Sequence, residues 1–249
     1  MKTNVYSLDA KVVKQLDLPS PLFGEAPRDD LIKRAVLSDE SKEYQPKGSY
    51  RMAGLETSAR YVGRKEIFAS VKNKGIPHLP HEVLPKGGLG KVKRVPHAVK
   101  GRRAHPPKPQ KIIIEQMNKK EYSKAIRSAL SASTINALVS KRHSMKIDMP
   151  LPLVFENSFE KMLKTKDFVK TFDLLKLSAM MQRSKEKGSK SALVILDGNT
   201  SKHAANNLPG FDVVNVKNLR VKDLAPGCFA GRMVIFSENS FKKLSEMVV

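Results

Sequence analysis

The sequence predicts an α/β fold, a three-layer sandwich with a mainly parallel central sheet, interrupted by a long extended basic loop. Three observations lead to this prediction. After residue 118, short apolar runs typical of buried strands alternate with stretches of helical periodicity. Residues 41–110 contain eight of the fifteen prolines and eight of the fourteen glycines, and no periodicity persists there. The same residues carry a net charge of +12, over half of the +22 of the chain.

Two elements are expected before the basic loop. Residues 5–13 predict a β-hairpin, because two apolar runs flank the turn-like Asp9-Ala10. A helix is expected to begin near Pro27, since proline is tolerated at a first helical position and two aspartates follow in the first turn. The helix is expected to end before Pro46.

Regular structure is expected to resume at Asn118, whose spacing to Glu121 is that of a capping box and predicts a helix. One or two helices are expected between residues 159 and 175, and another at the end of the chain. The predicted strands are Leu151–Phe155, Ala192–Leu196, Asp212–Val216 and Met233–Phe236. Short helices between the later strands favour a parallel sheet, so residues 1–249 are expected to form one α/β domain.

A net charge of +22 implies a polyanionic partner, because a lone compact domain would repel itself. Nucleic acid is the commonest such partner, and an anionic membrane surface is the other candidate. The sequence contains no run of 18 apolar residues, so no membrane span is predicted, and the first residues lack an apolar signal region. One cysteine excludes an internal disulfide and a cysteine-cluster zinc site. We therefore expect a cytoplasmic protein with no cofactor, no metal and no small-molecule substrate.

Residues 45–110 are the candidate nucleic-acid-binding loop, inserted within the domain. Glycines permit close approach to RNA, prolines stiffen the path, and an extended backbone lets each cation reach a different phosphate. The predicted RNA-binding residues are Lys47, Arg51, Arg60, Arg64, Lys65, Lys72, Lys74, Lys86, Lys91, Lys93, Arg94, His97, Lys100, Arg102, Arg103, His105 and Lys108. We expect no regular structure here, and order only when a partner surrounds the loop. The alternative is a disordered linker that binds polyanions without specificity.

Two other patterns in this loop resemble ligand sites. Gly87–Lys91 suggests a phosphate-binding loop, but its spacing is wrong, and we expect that it follows no strand and forms a flexible turn. His78-Leu79-Pro80-His81, with His97 and His105, suggests metal ligands, but no cysteine accompanies them and nearby cations would repel a metal. Histidines that bond to phosphate or stack on bases are the favoured interpretation.

Two further residues, both outside the loop, are candidate catalytic groups. Asp197 ends the clearest strand, where doubly wound sheets place functional groups, but no glycine-rich turn or partner nucleophile accompanies it. A turn-forming aspartate is favoured. Cys228 has no adjacent acid or histidine, so an idle thiol is favoured over a nucleophile.

The clearest motif is Lys100–Lys108, with the sequence Lys-Gly-Arg-Arg-Ala-His-Pro-Pro-Lys. It resembles the Gly-Arg-Arg-Ala-His-Pro-Pro-Lys signature of the large-subunit ribosomal protein four family, in its archaeal–eukaryotic branch. Further matches, in the family's order, are Leu31–Val36, Met52–Ala59, Leu219 with Leu224–Gly227, Ala230–Arg232 and Ser237–Ser240. The resemblance runs nearly end to end, and the length of the chain favours the archaeal form.

The resemblance implies a structural constituent of the large ribosomal subunit that binds its ribosomal RNA and stabilises the RNA fold. It implies a globular domain on the outer face of the subunit and an arm, here residues 45–110, that threads into the RNA toward the peptide exit tunnel. Neighbouring large-subunit proteins are implied as partners, and a membrane is not. Residues 67–89 form a longer central part than the family pattern leads us to expect.

Two other functions compete with this one. An RNA-modifying transferase would combine a cofactor-binding α/β domain with an RNA-gripping arm, but the sequence lacks a glycine-rich turn and an acid–base constellation. A DNA-compacting protein would need only the charge. Both are disfavoured relative to a non-enzymatic ribosomal protein.

Overall fold

The computed structural model describes residues 2–198 and 202–248. The chain divides into two compact units. The first, called the body, comprises Met1–Glu43 and Ile114–Val249, and the second, called the basic segment, is Tyr44–Ile113. This division lies close to the limits 45–110 that charge and composition predict.

The body contains a six-stranded, mostly parallel sheet. Its strands are β1 (Lys2–Tyr6), β2 (Val12–Asp17), β5 (Leu153–Phe155), β6 (Leu193–Leu196), β7 (Asp212–Asn215) and β8 (Val234–Ser237); β3 (His81–Val83) and β4 (Leu89–Val92) belong to the basic segment. The order across the sheet is β2-β1-β5-β8-β6-β7. The edge pair β1–β2 is antiparallel, as the hairpin prediction requires, and the other four pairings are parallel. The α/β class and the parallel sheet are therefore confirmed.

The central strands are continuous apolar runs because apolar side chains cover both of their faces. Side chains alternate between faces along a strand. Phe155 and Val194 accordingly belong to one buried cluster, whereas Val154 and Ile195 belong to a second. The strands β5, β6 and β8 are fully buried, which explains why their sequences are the easiest to recognise as strands.

The helices of the body mostly match the periodic stretches. They are α1 (Ser20–Phe23), α2 (Asp29–Ser41), α3 (Lys119–Thr134), α4 (Asn136–His143), α5 (Thr165–Leu174), α6 (Ser178–Lys187), α7 (Lys202–Asn206), α8 (Val221–Leu224) and α9 (Glu238–Val248). The predicted capping box at α3 is wrong, because Asn118 occupies the cap position but its side chain makes no cap bond. The short α1 was not expected, although Pro21 in its first turn is compatible with a helix start.

A buried arginine joins the amino ends of three parallel strands. The Arg232 side chain is 1% exposed and its Nη2 lies 2.7 Å from Oδ2 of Asp212, at the start of β7. Its Nε donates to the carbonyl oxygen of Ser191, before β6, and its Nη1 donates to that of Asp223, both at 2.8 Å. Arg232 precedes β8, so one guanidinium ties the β6, β7 and β8 ends together.

Within the described ranges, no helix is both long and apolar enough to cross a membrane.

Candidate nucleic-acid interface

The basic segment contains two stretches, residues 49–59 and 94–107, that run side by side in opposite directions and are called its limbs. The amide of Ser49 donates to the carbonyl oxygen of Pro107 at 3.4 Å. Farther along, a Cβ on Gly54 would lie 2.6 Å from the backbone nitrogen of Arg102, so the two backbones nearly touch. Gly54 also has a φ of +74°, a left-handed backbone conformation that glycine adopts without steric cost. The limbs therefore approach where the sequence has no side chain to separate them.

Beyond the limbs, a small antiparallel hairpin corrects the expectation that this segment holds no regular structure. Strands β3 and β4 pair with each other, and Arg60 forms an isolated bridge to His81. The amide of Val71 also donates to the carbonyl oxygen of Val62 at 3.0 Å. Sequence periodicity missed the hairpin because its strands have only three and four residues, too few to show alternation.

The predicted RNA-binding side chains lie overwhelmingly on the surface of this segment. Fifteen of the seventeen are exposed, and only Lys93 and Arg94 are half-buried. The exposed residues are Lys47, Arg51, Arg60, Arg64, Lys65, Lys72, Lys74, Lys86, Lys91, His97, Lys100, Arg102, Arg103, His105 and Lys108. Their shared property is access to solvent on a stretch with sixteen Lys and Arg against three acids.

Almost none of this charge is neutralised inside the segment. Arg64 lies 3.9 Å from Glu66, and both side chains are exposed. Among residues 44–113, all of which the structure describes, no other Lys or Arg lies within 4 Å of a carboxylate of the same segment. The net charge of +13 is therefore available to an external polyanion.

Arg94 differs from the other cations because it takes part in the fold of the segment. Its Nη1 donates to the carbonyl oxygen of Ala59 at 3.2 Å and so links the two limbs. Its Nε is buried without a hydrogen-bond partner in the described residues. Arg94 therefore holds the limbs together and is a weaker candidate for phosphate contact than its exposed neighbours.

The histidines separate into two kinds. His78, His97 and His105 are exposed, whereas His81 is 6% exposed. The ring nitrogens of His81 face the carbonyl oxygens of Gly90 at 2.9 Å and Pro77 at 3.0 Å, so this histidine organises the hairpin. No group of three or more His, Cys, Asp or Glu side chains in the described part of the chain is arranged to hold a metal ion.

The glycine-rich stretch Gly87–Lys91 begins in the turn between β3 and β4 and continues into β4, which starts at Leu89. The expectation that it follows no strand is wrong, since β3 ends at Val83. The amide of Gly87 donates to the carbonyl oxygen of Leu84 at 2.8 Å, which makes a tight turn rather than a loop opening onto a helix. The geometry fits the predicted turn and not a phosphate-binding loop.

Sequence reasoning missed the exposed aromatic rings of the segment. Tyr61 is 52% exposed and Phe68 is 75% exposed, and both lie within a few residues of Arg64 and Lys65. Flat rings beside cations suit unpaired RNA bases, which stack on aromatic side chains. Only 6% of the residues of the chain are aromatic, so stacking is not expected to dominate recognition, but the spacing of these rings among cations is visible in the sequence.

The two candidate catalytic residues, Asp197 and Cys228, lie in surroundings that fit structural roles. The Asp197 carboxylate pairs with Lys243 Nζ at 2.6 Å, and the Asp197 amide donates to Glu160 Oε1 at 3.0 Å. The sequence also predicts a turn at Asp197-Gly198-Asn199, of which Asn199 lies outside the described residues. Cys228 is a half-buried free cysteine with a φ of +68°.

Comparison with known proteins identifies the family of this chain. The model of the Ribosomal protein L4/L1 family matches residues 16–247. Large ribosomal subunit protein uL4 of Methanocaldococcus jannaschii is 40% identical to this chain, over 99% of each of the two chains. The uL4 proteins of Methanoculleus marisnigri and Methanococcus vannielii are 38% and 37% identical, again over 99% of both chains. With its body, its basic segment and nearly all of its length matched, this chain belongs to the Ribosomal protein L4/L1 family.

Proposed function

We propose that this protein is a structural constituent of the large ribosomal subunit, where it binds large-subunit ribosomal RNA and contacts neighbouring ribosomal proteins. One observation carries the proposal: fifteen exposed cationic or imidazole side chains lie on a segment with a net charge of +13. Family membership gives the class of RNA, since the matched relatives are large-subunit proteins. The large subunit works in the cytoplasm, and the role is not enzymatic.

The arrangement of the body and the basic segment is the finer part of the proposal. We infer that the body is a three-layer α/β sandwich and that residues 45–110 form an extended RNA-binding loop inserted within it. Supporting this, α2 and α3 contribute buried side chains to one apolar cluster, whereas α5 and α6 contribute to the other. In the intact subunit the loop fills crevices between RNA helices and extends toward the peptide exit tunnel.

The chemistry of binding follows from the exposed cations. Each Lys or Arg that neutralises a phosphate releases a condensed counterion, which favours association at low salt. Arginine adds a planar fork that meets two phosphate oxygens or stacks on a base. The seventeen predicted residues are the proposed RNA contacts. Arg94 is the weakest candidate among them, because its side chain links the two limbs.

No match to a relative indicates an RNA-modifying transferase, and none indicates a DNA-compacting protein. The family model and the relatives all describe ribosomal proteins.

Ultraviolet cross-linking in whole-cell lysate, with sequencing of the attached RNA, tests the function. The expected result is enrichment of large-subunit ribosomal RNA, with cross-linked peptides inside residues 45–110. A variant with Arg102→Gln and Arg103→Gln is expected to lose cross-links near these positions. The matched control, Lys166→Gln with Lys170→Gln, removes two exposed lysines from α5 and is expected to retain them. Enrichment of other RNA classes, or of DNA, would contradict the proposal.

A further inference from the structure

The body contains a basic cleft that the basic segment does not explain. It has a volume of about 430 Å³ and lies between α4 and α6, beside the residues that precede β6 and β8. Four cationic side chains line it, against the single carboxylate of Asp29. The four are Lys141, Arg142, Arg183 and Lys190. Lys190 is partly neutralised by Asp212 at 2.7 Å, which leaves three cations facing the cleft without such a partner in the described residues.

Arg142 is the centre of this charge. Its Nη2 donates to the carbonyl oxygen of Pro226 at 2.9 Å, and its Nη1 donates to that of Phe229. Within the described residues no carboxylate lies within 4 Å of Arg142. Burial, reinforced by the charge of Arg232, lowers the pKa of Arg142 to about 10, so the side chain stays protonated at neutral pH. A half-buried guanidinium bonded only to neutral acceptors is stabilised by an incoming anion.

The neighbouring His143 has a pKa lowered by burial and, in addition, by the positive charges at the same site. Its Nε2 accepts a hydrogen bond from the amide of Met233 at 3.1 Å, which fixes a neutral imidazole. Burial and then the charges of Arg142, Arg232 and Arg183 lower the pKa of His143 to about 4. His143 therefore adds no charge at neutral pH, and three guanidinium groups set the field around it.

An exposed aromatic ring stands at the edge of the cleft. Phe229 lines the cleft, yet its side chain is 76% exposed. The bond from Arg142 to its carbonyl oxygen holds the loop that carries the ring. An exposed phenylalanine beside arginine offers a stacking face next to positive charge, which suits a flat, anionic ligand.

We propose that this cleft binds one nucleotide of an unpaired RNA strand, with its phosphate on Arg142 and Arg183 and its base stacked on Phe229. The proposal rests on the proposed function and adds a second RNA contact that is separate in sequence from residues 45–110. A nucleotide uses both features of the cleft, the charge and the ring. An acidic peptide would satisfy the cations but leave the ring in water. The cleft volume lies within the range of about 300–1,000 Å³ that is usual for small-ligand sites.

Photo-cross-linking of the full chain to a short oligoribonucleotide containing 4-thiouridine tests this site. Tryptic cleavage after Lys222 and Arg232 gives the peptide of residues 223–232, which contains Phe229. The variant Lys141→Ala with Arg183→Ala removes two cations while leaving Phe229 and the loop-holding Arg142 in place. Its matched control is Lys166→Ala with Lys170→Ala on α5, which changes the net charge equally. The wild type is expected to form an adduct on this peptide, reduced about tenfold in the cleft variant and unchanged in the control.

The result separates the cleft from the basic segment. Adducts inside residues 45–110 without one on residues 223–232 would overturn the cleft proposal and leave the proposed function intact. Absence of adducts from both regions would count against both. If oligoglutamate, added before irradiation, prevents formation of the 223–232 adduct at a lower concentration than unlabelled oligonucleotide does, the cleft proposal is overturned in favour of an acidic peptide. Retention of the adduct in the cleft variant would also overturn it.

Discussion

The body buries both faces of the central strands β5, β8 and β6, whereas the basic segment has only five buried side chains among its seventy residues. These five are Ala59, Ala69, Ser70, Val71 and His81. The body carries thirty Lys and Arg against twenty-one acids, and the segment carries sixteen against three. Apolar burial stabilises the body, while the segment combines little burial with high charge, and we propose that its order therefore depends on a polyanion.

The largest expected effect is on RNA affinity. A variant replaces six exposed cations of the segment with glutamine, at Arg51, Lys91, Lys100, Arg102, Arg103 and Lys108. Because six cations no longer neutralise phosphates, the slope of log affinity against log salt becomes shallower by about 5, so the affinity deficit of the variant is roughly 10³-fold larger at about 0.05 M salt than at about 0.2 M. Filter binding to a large-subunit RNA fragment over a salt series measures both.

The control for this variant removes six exposed lysines from the body instead, at Lys146, Lys161, Lys164, Lys166, Lys170 and Lys217. Its net charge changes equally. An equal loss of affinity and slope in the two variants would show that total charge, and not the segment, determines binding.

The second effect concerns the stability of the body. Arg232→Met removes the guanidinium that ties three strand ends and leaves Asp212 without its buried partner. The carbonyl oxygens of Ser191 and Asp223 also lose their donor, at about 1–3 kcal/mol for each buried acceptor left unsatisfied, which urea denaturation measures as a fall in unfolding free energy. Arg220→Met, at an exposed arginine 3.8 Å from Glu43, is the control and is expected to cost less than about 1 kcal/mol. Equal costs would refute the role given to Arg232.

A third effect gives the body a pH dependence. His143 has its pKa lowered from 6.5 to about 4 in the folded protein, by burial first and by nearby arginines second. The unfolded chain therefore binds a proton at higher pH than the folded one. The stabilisation is present above pH 6.5 and is lost as the pH falls toward 4, by roughly 3 kcal/mol.

Denaturation at a series of pH values tests this effect through the difference between wild type and His143→Gln. That difference is expected to be largest near neutral pH and to shrink on acidification. His78→Gln, at an exposed histidine, is the control and should track the wild type. A constant difference across the series would contradict the prediction.

The smallest stability effect is expected inside the basic segment. Gly54→Ala places a Cβ 2.6 Å from the opposite limb at a φ of +74°, whereas Gly75→Ala has a similar φ of +64° but nothing within 4 Å. We expect both to change the unfolding free energy by less than about 0.5 kcal/mol, because the segment contributes little to the core. RNA affinity is expected to fall about tenfold for Gly54→Ala only. Equal losses for both variants would assign the effect to backbone strain instead of limb contact.

The sequence predicted those features that depend on local pattern. The strands β5, β6 and β8 are short apolar runs, and the basic segment is marked by proline, glycine and charge. These signals are contiguous in the chain, so no knowledge of tertiary contacts was needed.

Features that depend on distant contacts were not predictable. The limbs meet where Gly54 approaches Arg102, and no pattern in either stretch encodes the other. The cleft brings Arg142 together with Arg183, forty-one residues away. The burial of Arg232 was not predictable either, because its bonding partners are distant in the sequence. At Asn118 the local motif has the spacing of a capping box, yet the Asn118 side chain makes no cap bond, so a local pattern alone also gave a wrong prediction.

Hydrogen–deuterium exchange on the full chain, with and without a large-subunit ribosomal RNA fragment, tests the contrast between the two regions most directly. We predict slow exchange in the sheet strands under both conditions. Amides of residues 45–110 are predicted to exchange rapidly in the free protein and to become protected when RNA is added. Equal protection of residues 45–110 with and without RNA would contradict the proposal that a polyanion orders this segment.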